Sequence, residues 1–322
     1  MERYKRRENE SKFEWKLRLC KSKLIDKEDI EWQEIVDILS LDCSADHLRK
    51  TAYGILEYDN YLDNNGVATK ILSISDTHVP FHLPVETFKD YAGQVDILQL
   101  NGDIQDCQSV SKFTKKYRIN FVDEMIETRQ YIIDLIEYIK PKKVVINKGN
   151  HEDRLLRFLS DKLNDDLLNL MPDSSLDLII NSRFKNIDRR NKTETWYEPV
   201  VKVFDDIEIE YTNDWKCKIG KTWFIHPSAY SSSMLKTTEK AVNYFLRIDR
   251  DFDTIVTAHV HKLGSYCQGG VYLYEQGCCC KIEEMNYFDG RLTYPQQQGF
   301  IYVCQNEIGE LIYDKTKLIK LN

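Results

Sequence analysis

Five short segments of this chain each close an apolar, β-branched run with side chains that bind metals. They are Ile71-Leu72-Ser73-Ile74-Ser75-Asp76-Thr77-His78, Ile97-Leu98-Gln99-Leu100-Asn101-Gly102-Asp103, Val144-Val145-Ile146-Asn147-Lys148-Gly149-Asn150-His151-Glu152, Trp223-Phe224-Ile225-His226 and Ile255-Val256-Thr257-Ala258-His259-Val260-His261. A continuous apolar run reads as a strand buried on both faces. Ligands of open α/β sheets gather outside the carboxyl ends of the strands. Polar chemistry follows the strand five times here, so five tips can converge on one site. Five of the seven histidines sit in these segments, which is more order than histidines scattered through a core would show.

The chain has 322 residues, enough for one large domain and a small one. Its apolar and charged fractions are those of a soluble globular protein, and no stretch approaches a membrane span. The opening Met1-Glu2-Arg3-Tyr4-Lys5-Arg6-Arg7 has no apolar run behind it, so no secretory signal is expected. Nine cysteines in such a chain read as reduced thiols of a cytoplasmic protein. Cys278-Cys279-Cys280 lacks the paired, two-residue-spaced cysteines of a structural zinc site and reads as alternating side chains on a late strand. The net charge is −7, but residues 1–24 carry nine Lys or Arg against four Glu, a balance of +5 that leaves −12 elsewhere. That asymmetry suits an arm facing a polyanion, or the solvated face of an amphipathic helix.

Residues 11–62 carry helical periodicity, and a module spanning 1–66 is expected ahead of a domain spanning 67–322. Ile30, Trp32, Ile35, Val36, Leu39 and Leu41 share one helical face. Ser44 is placed to cap the next helix, which runs through His47, Leu48, Arg49, Lys50, Tyr53, Ile55 and Leu56. Two short helices about a tight turn resemble a helix-turn-helix, with Arg49 and Lys50 as candidate DNA contacts; a packing or oligomerisation role competes with that reading. Asp59 to Gly66 reads as the linker. Beyond Lys70 strands alternate with helices: Ile119–Lys140 ends at Pro141, and Ser231–Arg250 buries Leu235, Val242, Phe245 and Leu246. Ile207–Tyr211, Val271–Gln276, Phe300–Cys304 and Leu311–Tyr313 read as strands, the last three in C-terminal hairpins.

The ordered blocks Asp-x-His, Gly-Asp, Gly-Asn-His-Glu, His and His-x-His resemble the calcineurin-like metallophosphoesterase superfamily from about Lys70 to the C-terminus. Ala258 stands where that family often has Gly, which removes no ligand. The resemblance implies a four-layer α/β/β/α sandwich, compatible with the two-layer mixed sheet read from the pattern. It also implies that Asp76, His78, Asp103 and His261 bind one metal ion, and Asp103, Asn150, His226 and His259 a second. Two divalent ions roughly 3.5–4 Å apart generate a bridging hydroxide nucleophile and clamp the phosphate. Carboxylate, imidazole and amide ligands suit manganese first, and iron, with zinc or nickel admitted. His151 sits beside a ligand, where a protonated imidazole can act as general acid, with Asp76 or another acid as its partner. Arg154 is a candidate for bidentate phosphate binding, against a surface ion pair. His82 is a minor substrate-side candidate.

Protein serine/threonine phosphatases of the superfamily carry Asp-Arg-Gly after the second block, whereas Asp103 here precedes Ile104-Gln105-Asp106-Cys107. The basic helical N-terminus favours a DNA-directed phosphodiesterase, and the arrangement resembles phosphoesterases of phage and prophage DNA-processing regions. Its catalytic blocks are similar to those of the exonuclease subunit of double-strand-break repair complexes. Phage origin would place it in a bacterial host's cytoplasm. The acidic catalytic part favours a small-molecule or cyclic-nucleotide phosphodiesterase instead. A non-enzymatic DNA-binding or assembly protein is the third reading, against which stand seven placed ligands. Oligomeric state is not legible.

Overall fold

The helical periodicity of the first unit forms α1 (Lys12–Leu24), α2 (Trp32–Leu39) and α3 (Ala45–Asn64). The computed structural model describes residues 4–7, 10–24, 27–64, 66–112, 119–285 and 295–321, and for 56–64 the backbone alone. The chain divides into Met1–Gly66 and Val67–Asn322, each with its own core. In the first unit Glu31 and Glu34 cap α2 reciprocally, and Glu31 N–H donates to Glu34 Oε2 at 2.9 Å. Ser40 ends α2 in the left-handed region (φ 47°). Ser44 Oγ then accepts from His47 N–H at 3.2 Å and opens α3. Leu19, Ile30, Ile35, Val36, Leu39 and Leu48 are buried, with Trp32 and Leu41 packed against them. The linker expected from Asp59 is instead helix as far as Asn64: Asp and Asn weaken a helix by fractions of a kcal/mol without breaking it, and the first strong breaker is Gly66. The side chain of Leu56, and Asn65, lie outside the described residues, as do Met1, Glu2 and Arg3.

The second unit contains helices α4 (Phe121–Ile139), α5 (Asp153–Ser160), α6 (Asp165–Leu168), α7 (Ser175–Asn181) and α8 (Lys236–Phe245). Its first strands are β1 (Thr69–Ile74), β2 (Ile97–Asn101), β3 (Lys143–Asn147), β4 (Phe184–Asp188), β5 (Thr193–Tyr197) and β6 (Glu208–Thr212). Then come β7 (Lys216–Ile219), β8 (Thr222–Ile225), β9 (Thr254–Thr257), β10 (Leu263–Gln268), β11 (Val271–Gln276), β12 (Gly299–Gln305) and β13 (Lys317–Lys320). One sheet runs β13-β12-β1-β2-β3-β6 and the other β10-β11-β9-β8-β7, with β4 and β5 as a separate pair. In the first, β1, β2 and β3 are parallel neighbours, Ile71 facing Ile97 and Ile97 facing Lys143. In the second, β8 and β9 are parallel, Thr222 facing Thr254. All five metal-type segments therefore leave their strands in the sense the sequence requires.

Ile71, Phe224, Val256, Tyr274, Ile301 and Val303 fill the space between the sheets. Ile132, Leu135, Ile136 and Ile139 of α4 cover the outer face of the first sheet, and Val242 and Phe245 of α8 that of the second. These are four layers, helix, sheet, sheet, helix. A buried polar ladder crosses the seam. Gln99 Nε2 donates to Asn147 Oδ1 at 2.7 Å, Asn147 Nδ2 to Asn101 Oδ1 at 3.0 Å, and Ser73 Oγ lies 2.5 Å from Gln99 Oε1 and 2.9 Å from Gln276 Oε1.

Three local expectations change. Helix α8 starts at Lys236 rather than Ser231, because Leu235 takes a left-handed conformation (φ 58°), and Leu246 is exposed at its end. Leu311 makes only an isolated bridge to Gln305, and β12 lies between β1 and β13. Cys278 and Cys280 make isolated bridges to Gln298 and His82 instead of continuing a strand, since Gly277 (φ 80°) breaks away from β11. Among the described residues no helix is long and apolar enough to cross a membrane. Phe224 is fully buried at the seam, so Phe224→Ala should cost about 3–5 kcal/mol. Urea unfolding followed by tryptophan fluorescence should show that loss as a lower midpoint with an unchanged slope.

Candidate metal centre

The loops after β1, β2 and β3 are tied together before any side chain is considered. Asp76 N–H donates to Gly102 O at 3.1 Å, His78 N–H to Asp103 O at 3.0 Å, and Val79 N–H to Ile104 O at 2.8 Å. Glu152, fully buried at the start of α5, joins the second and third loops. Its Oε1 accepts from Ile104 and Gln105 N–H at 2.8 and 3.1 Å, its Oε2 from Asp103 and Gly149 N–H at 3.1 and 2.7 Å. Burial and the charge of Asp103 push this carboxyl up to about 7, while His226 and the amide donors pull it down. With both oxygens saturated by N–H groups, the carboxylate is the form the geometry holds.

Two glycines permit the approach. A Cβ on Gly149 would run into the Asp103 carboxylate and backbone, and one on Gly102 would lie 2.6 Å from His226 Nδ1 and 2.7 Å from Gly149 Cα. Asp76, His78, Asp103, His259 and His261 all occupy the left-handed region, with φ between 47° and 75°. Each such non-glycine residue costs about 1–3 kcal/mol and persists only where its surroundings fix it.

The side chains gather into linked clusters. Asp76, His78 and His261 form one, Asp103, His226 and His259 another, and His78, Asp103 and His151 a third between them. Asp76 Oδ1 lies 3.1 Å from His261 Nε2 and 3.9 Å from the Nε2 atoms of His78 and His226. Asp103 Oδ2 lies 3.1 Å from His226 Nε2, 3.6 Å from His151 Nε2 and 4.0 Å from His78 Nε2. Asp103 thus stands between the two sets. Backbone and amide groups fix the rings: His226 Nδ1 donates to Asn101 O at 2.7 Å, and His261 Nδ1 to Gln296 Oε1 at 2.5 Å, leaving each Nε2 lone pair aimed inward.

The donor set fits divalent ions on three structural grounds. His78 and His261 present Nε2 atoms to each other at 3.2 Å. Asn150 Oδ1 is buried without a hydrogen-bond partner among the described residues. Against burial, Asp103 and then Asp76 hold His226 up at about 9, so the pocket favours positive charge where a cation would sit.

Asp106, whose role is not legible from the sequence, is central to this cluster. Its Oδ1 lies 3.1 Å from His151 Nδ1 and 3.2 Å from His78 Nδ1. Against the penalty of burial, the hydrogen bonds from these two rings hold its carboxyl well below the usual range. Arg154 turns inward, its Nη1 4.0 Å from Asp106 Oδ1. It is largely buried, donating from Nη1 to Asp106 O at 2.7 Å and from Nη2 to His151 Nε2 at 2.7 Å. Burial pushes His151 down to about 4; Asp103 opposes that, and charge on His78 and Arg154 reinforces it. These contacts favour a neutral His151 in the absence of substrate.

His82 does not join the clusters. Its ring centroid lies 4.1 Å from that of Tyr131, and burial holds its pKa down at about 4. Cys278 and Cys280, both fully buried, gather beside His261. The hydrogen bond with Cys280 lowers the Cys278 thiol against burial, and the His261 charge adds to that. A signal for this was present in the sequence: alternate cysteines project to one side wherever the backbone is extended.

Parallel strand tips in two facing sheets, carrying histidines and carboxylates in this order, define a metal-dependent phosphoesterase centre. The chain belongs to the calcineurin-like phosphoesterase family, whose model matches residues 69–263. The family uses a dinuclear divalent metal centre. Similar solved structures include vacuolar protein sorting 29 from Cryptosporidium parvum, at 15% identity over 79% of this chain and 97% of that one, TM-score 0.37. An archaeal phosphodiesterase matches at 16% identity over 78% and 99%, TM-score 0.35. A metallophosphoesterase from Sphaerobacter thermophilus matches at 12% over 79% and 88%, TM-score 0.35. No curated protein matches the sequence.

Because a Cβ on Gly149 collides with Asp103, Gly149→Ala should disrupt the centre even though it changes no ligand. Metal content after reconstitution and dialysis, measured by plasma mass spectrometry, should fall well below that of the unaltered protein while far-ultraviolet circular dichroism stays unchanged.

Proposed function

We propose that this protein is a phosphodiesterase that cleaves DNA with two divalent ions, manganese first among the candidates. Asp76, His78, Asp103 and His261 are assigned to one ion; Asp103, Asn150, His226 and His259 to the other. The observation that carries the reading is the position of Asp103, whose Oδ2 faces His226 at 3.1 Å and His78 at 4.0 Å, within reach of both sets. The ions, when bound, supply a nucleophile from water at neutral pH and neutralise charge on the phosphoryl oxygens.

The protein's own groups supply the rest. Arg154 is the cation assigned to a non-bridging phosphate oxygen, by a charge-assisted bond. Engaging phosphate releases its donation to His151 Nε2, and that nitrogen can then take up a proton from solvent and hand it to the leaving oxygen. Asp106, at 3.1 Å from His151 Nδ1, steadies the imidazolium as it forms. In the first unit, Arg49 and Lys50 are exposed and assigned to DNA phosphates. Both are shared with Asp46, at 2.7 and 2.8 Å, which reduces what each offers a polyanion. The acidic balance of the chain supports a second reading, hydrolysis of a small or cyclic phosphodiester.

Hydrolysis of single-stranded DNA, duplex DNA, a cyclic nucleotide and bis-p-nitrophenyl phosphate with manganese present decides between these readings. DNA cleavage with little action on the cyclic nucleotide is expected, and the reverse order establishes the second. Asp103→Asn should abolish turnover and reduce metal content from two ions towards none; retention of both ions would remove Asp103 from the bridging position. Arg154→Ala tests the proton path through pH. Removing the nearby cation raises the His151 pKa from about 4, so the fraction of protonated His151 at any pH above that value increases. The pH–kcat profile with a poor leaving group should shift alkaline while KM rises. An unshifted profile would separate Arg154 from His151.

A further inference from the structure

The hairpin of β4 and β5 belongs to neither large sheet. Its inner face is anchored: Phe184 is buried in the main core and stacks on Tyr197 with ring centroids 5.2 Å apart. Its outer face, Lys185, Ile187, Glu194 and Trp196, is exposed, and Trp196 retains 51% of its accessible surface. Residues 183–192 hold five Lys or Arg against Asp188, a balance of +4 in a chain of net −7.

The charges are not spent equally. Arg183 pairs with Glu198 at 2.8 Å and lies over the Trp196 ring at 4.8 Å; Lys185 pairs with Glu194 at 3.1 Å and lies over the same ring at 5.4 Å. Arg189, Arg190 and Lys192, at the tip, are exposed and form no ion pair among the described residues. The tip is nonetheless ordered, since Asp188 Oδ1 accepts from Arg190 and Asn191 N–H at 2.8 and 3.1 Å. A half-exposed indole with cations over its ring, and three more cations a few residues along that pair with no acid among the described residues, offers an aromatic surface for a base and donors for the phosphates beside it.

We propose that the β4–β5 hairpin binds a single strand of nucleic acid, with Trp196 stacking on a base and Arg189, Arg190 and Lys192 meeting phosphates. A duplex fits less well, because its bases are already stacked and it presents the indole with no free base face. The inference rests on the nucleic-acid reading of the site and gives that site a means of holding its substrate at a distance from the metals.

The test is fluorescence anisotropy of a labelled phosphorothioate oligothymidylate on the metal-loaded full chain, with the equivalent duplex beside it. Trp196→Ala should weaken single-strand binding about tenfold. The triple variant Arg189→Gln, Arg190→Gln, Lys192→Gln should flatten the salt dependence by about 2 in the slope of log K against log salt, at about 0.7 per lost contact. Hydrolysis of bis-p-nitrophenyl phosphate should be unchanged in both, which also reports that they are folded. Unchanged affinity in both variants overturns the proposal. So does a loss confined to the triple variant and equal for heparin, which makes the hairpin a plain charged surface. Hairpin-dependent binding without cleavage of DNA sustains the proposal and removes the nuclease reading alone.

Discussion

The carboxylate of Glu152 holds four backbone N–H groups from two loops, and the rest of the centre depends on that grip. Without it, four buried donors would lose their acceptors, at about 1–3 kcal/mol each. The residues it fastens are Asp103 and its two successors, and Gly149 beside Asn150. The work of Glu152 is to present Asp103 at a fixed point from which several imidazoles can be reached.

Fixing that point permits an otherwise unfavourable backbone. Five of the residues assigned to metal adopt left-handed conformations, and none is glycine. Such a turn aims a side chain back across the strand ends. It survives because Asp76, His78 and Val79 donate their N–H groups into the neighbouring loop. Strain at the ligands and hydrogen bonding between the loops are two sides of one arrangement. Gly102 and Gly149 mark where the loops approach too closely for any side chain.

The residues that gather in the clusters were legible because chemistry there follows the strand period: an apolar run, then a polar tip, five times. The sandwich was legible for the same reason, as were the helices, whose apolar faces repeat at 3.6. What stayed hidden acts through tertiary contact alone. Asp106 is one more acid in a loop until folding sets it between His78 and His151. Arg154 looked like a surface cation because nothing local reveals that it turns inward to Asp106 O. Gln99 and Asn147 break apolar strands, which marks them as unusual, yet their partners lie in other strands. Helix ends were misread where single residues decide them, as at Leu235 and in the stretch from Asp59 to Asn64.

The polar ladder of Ser73, Gln99, Asn101, Asn147 and Gln276 lies on the seam between the sheets, and His226 from the second sheet donates to Asn101 O in the first. Apolar faces alone would let two sheets slip past one another by small steps at little cost. Directional bonds do not: Ser73 to Gln276 and His226 to Asn101 O cross the seam, and a shift of an ångström would break both. The ladder therefore acts as an alignment key. It sets the two halves of the centre to one another, so that ligands borne by separate sheets arrive in a single fixed relation.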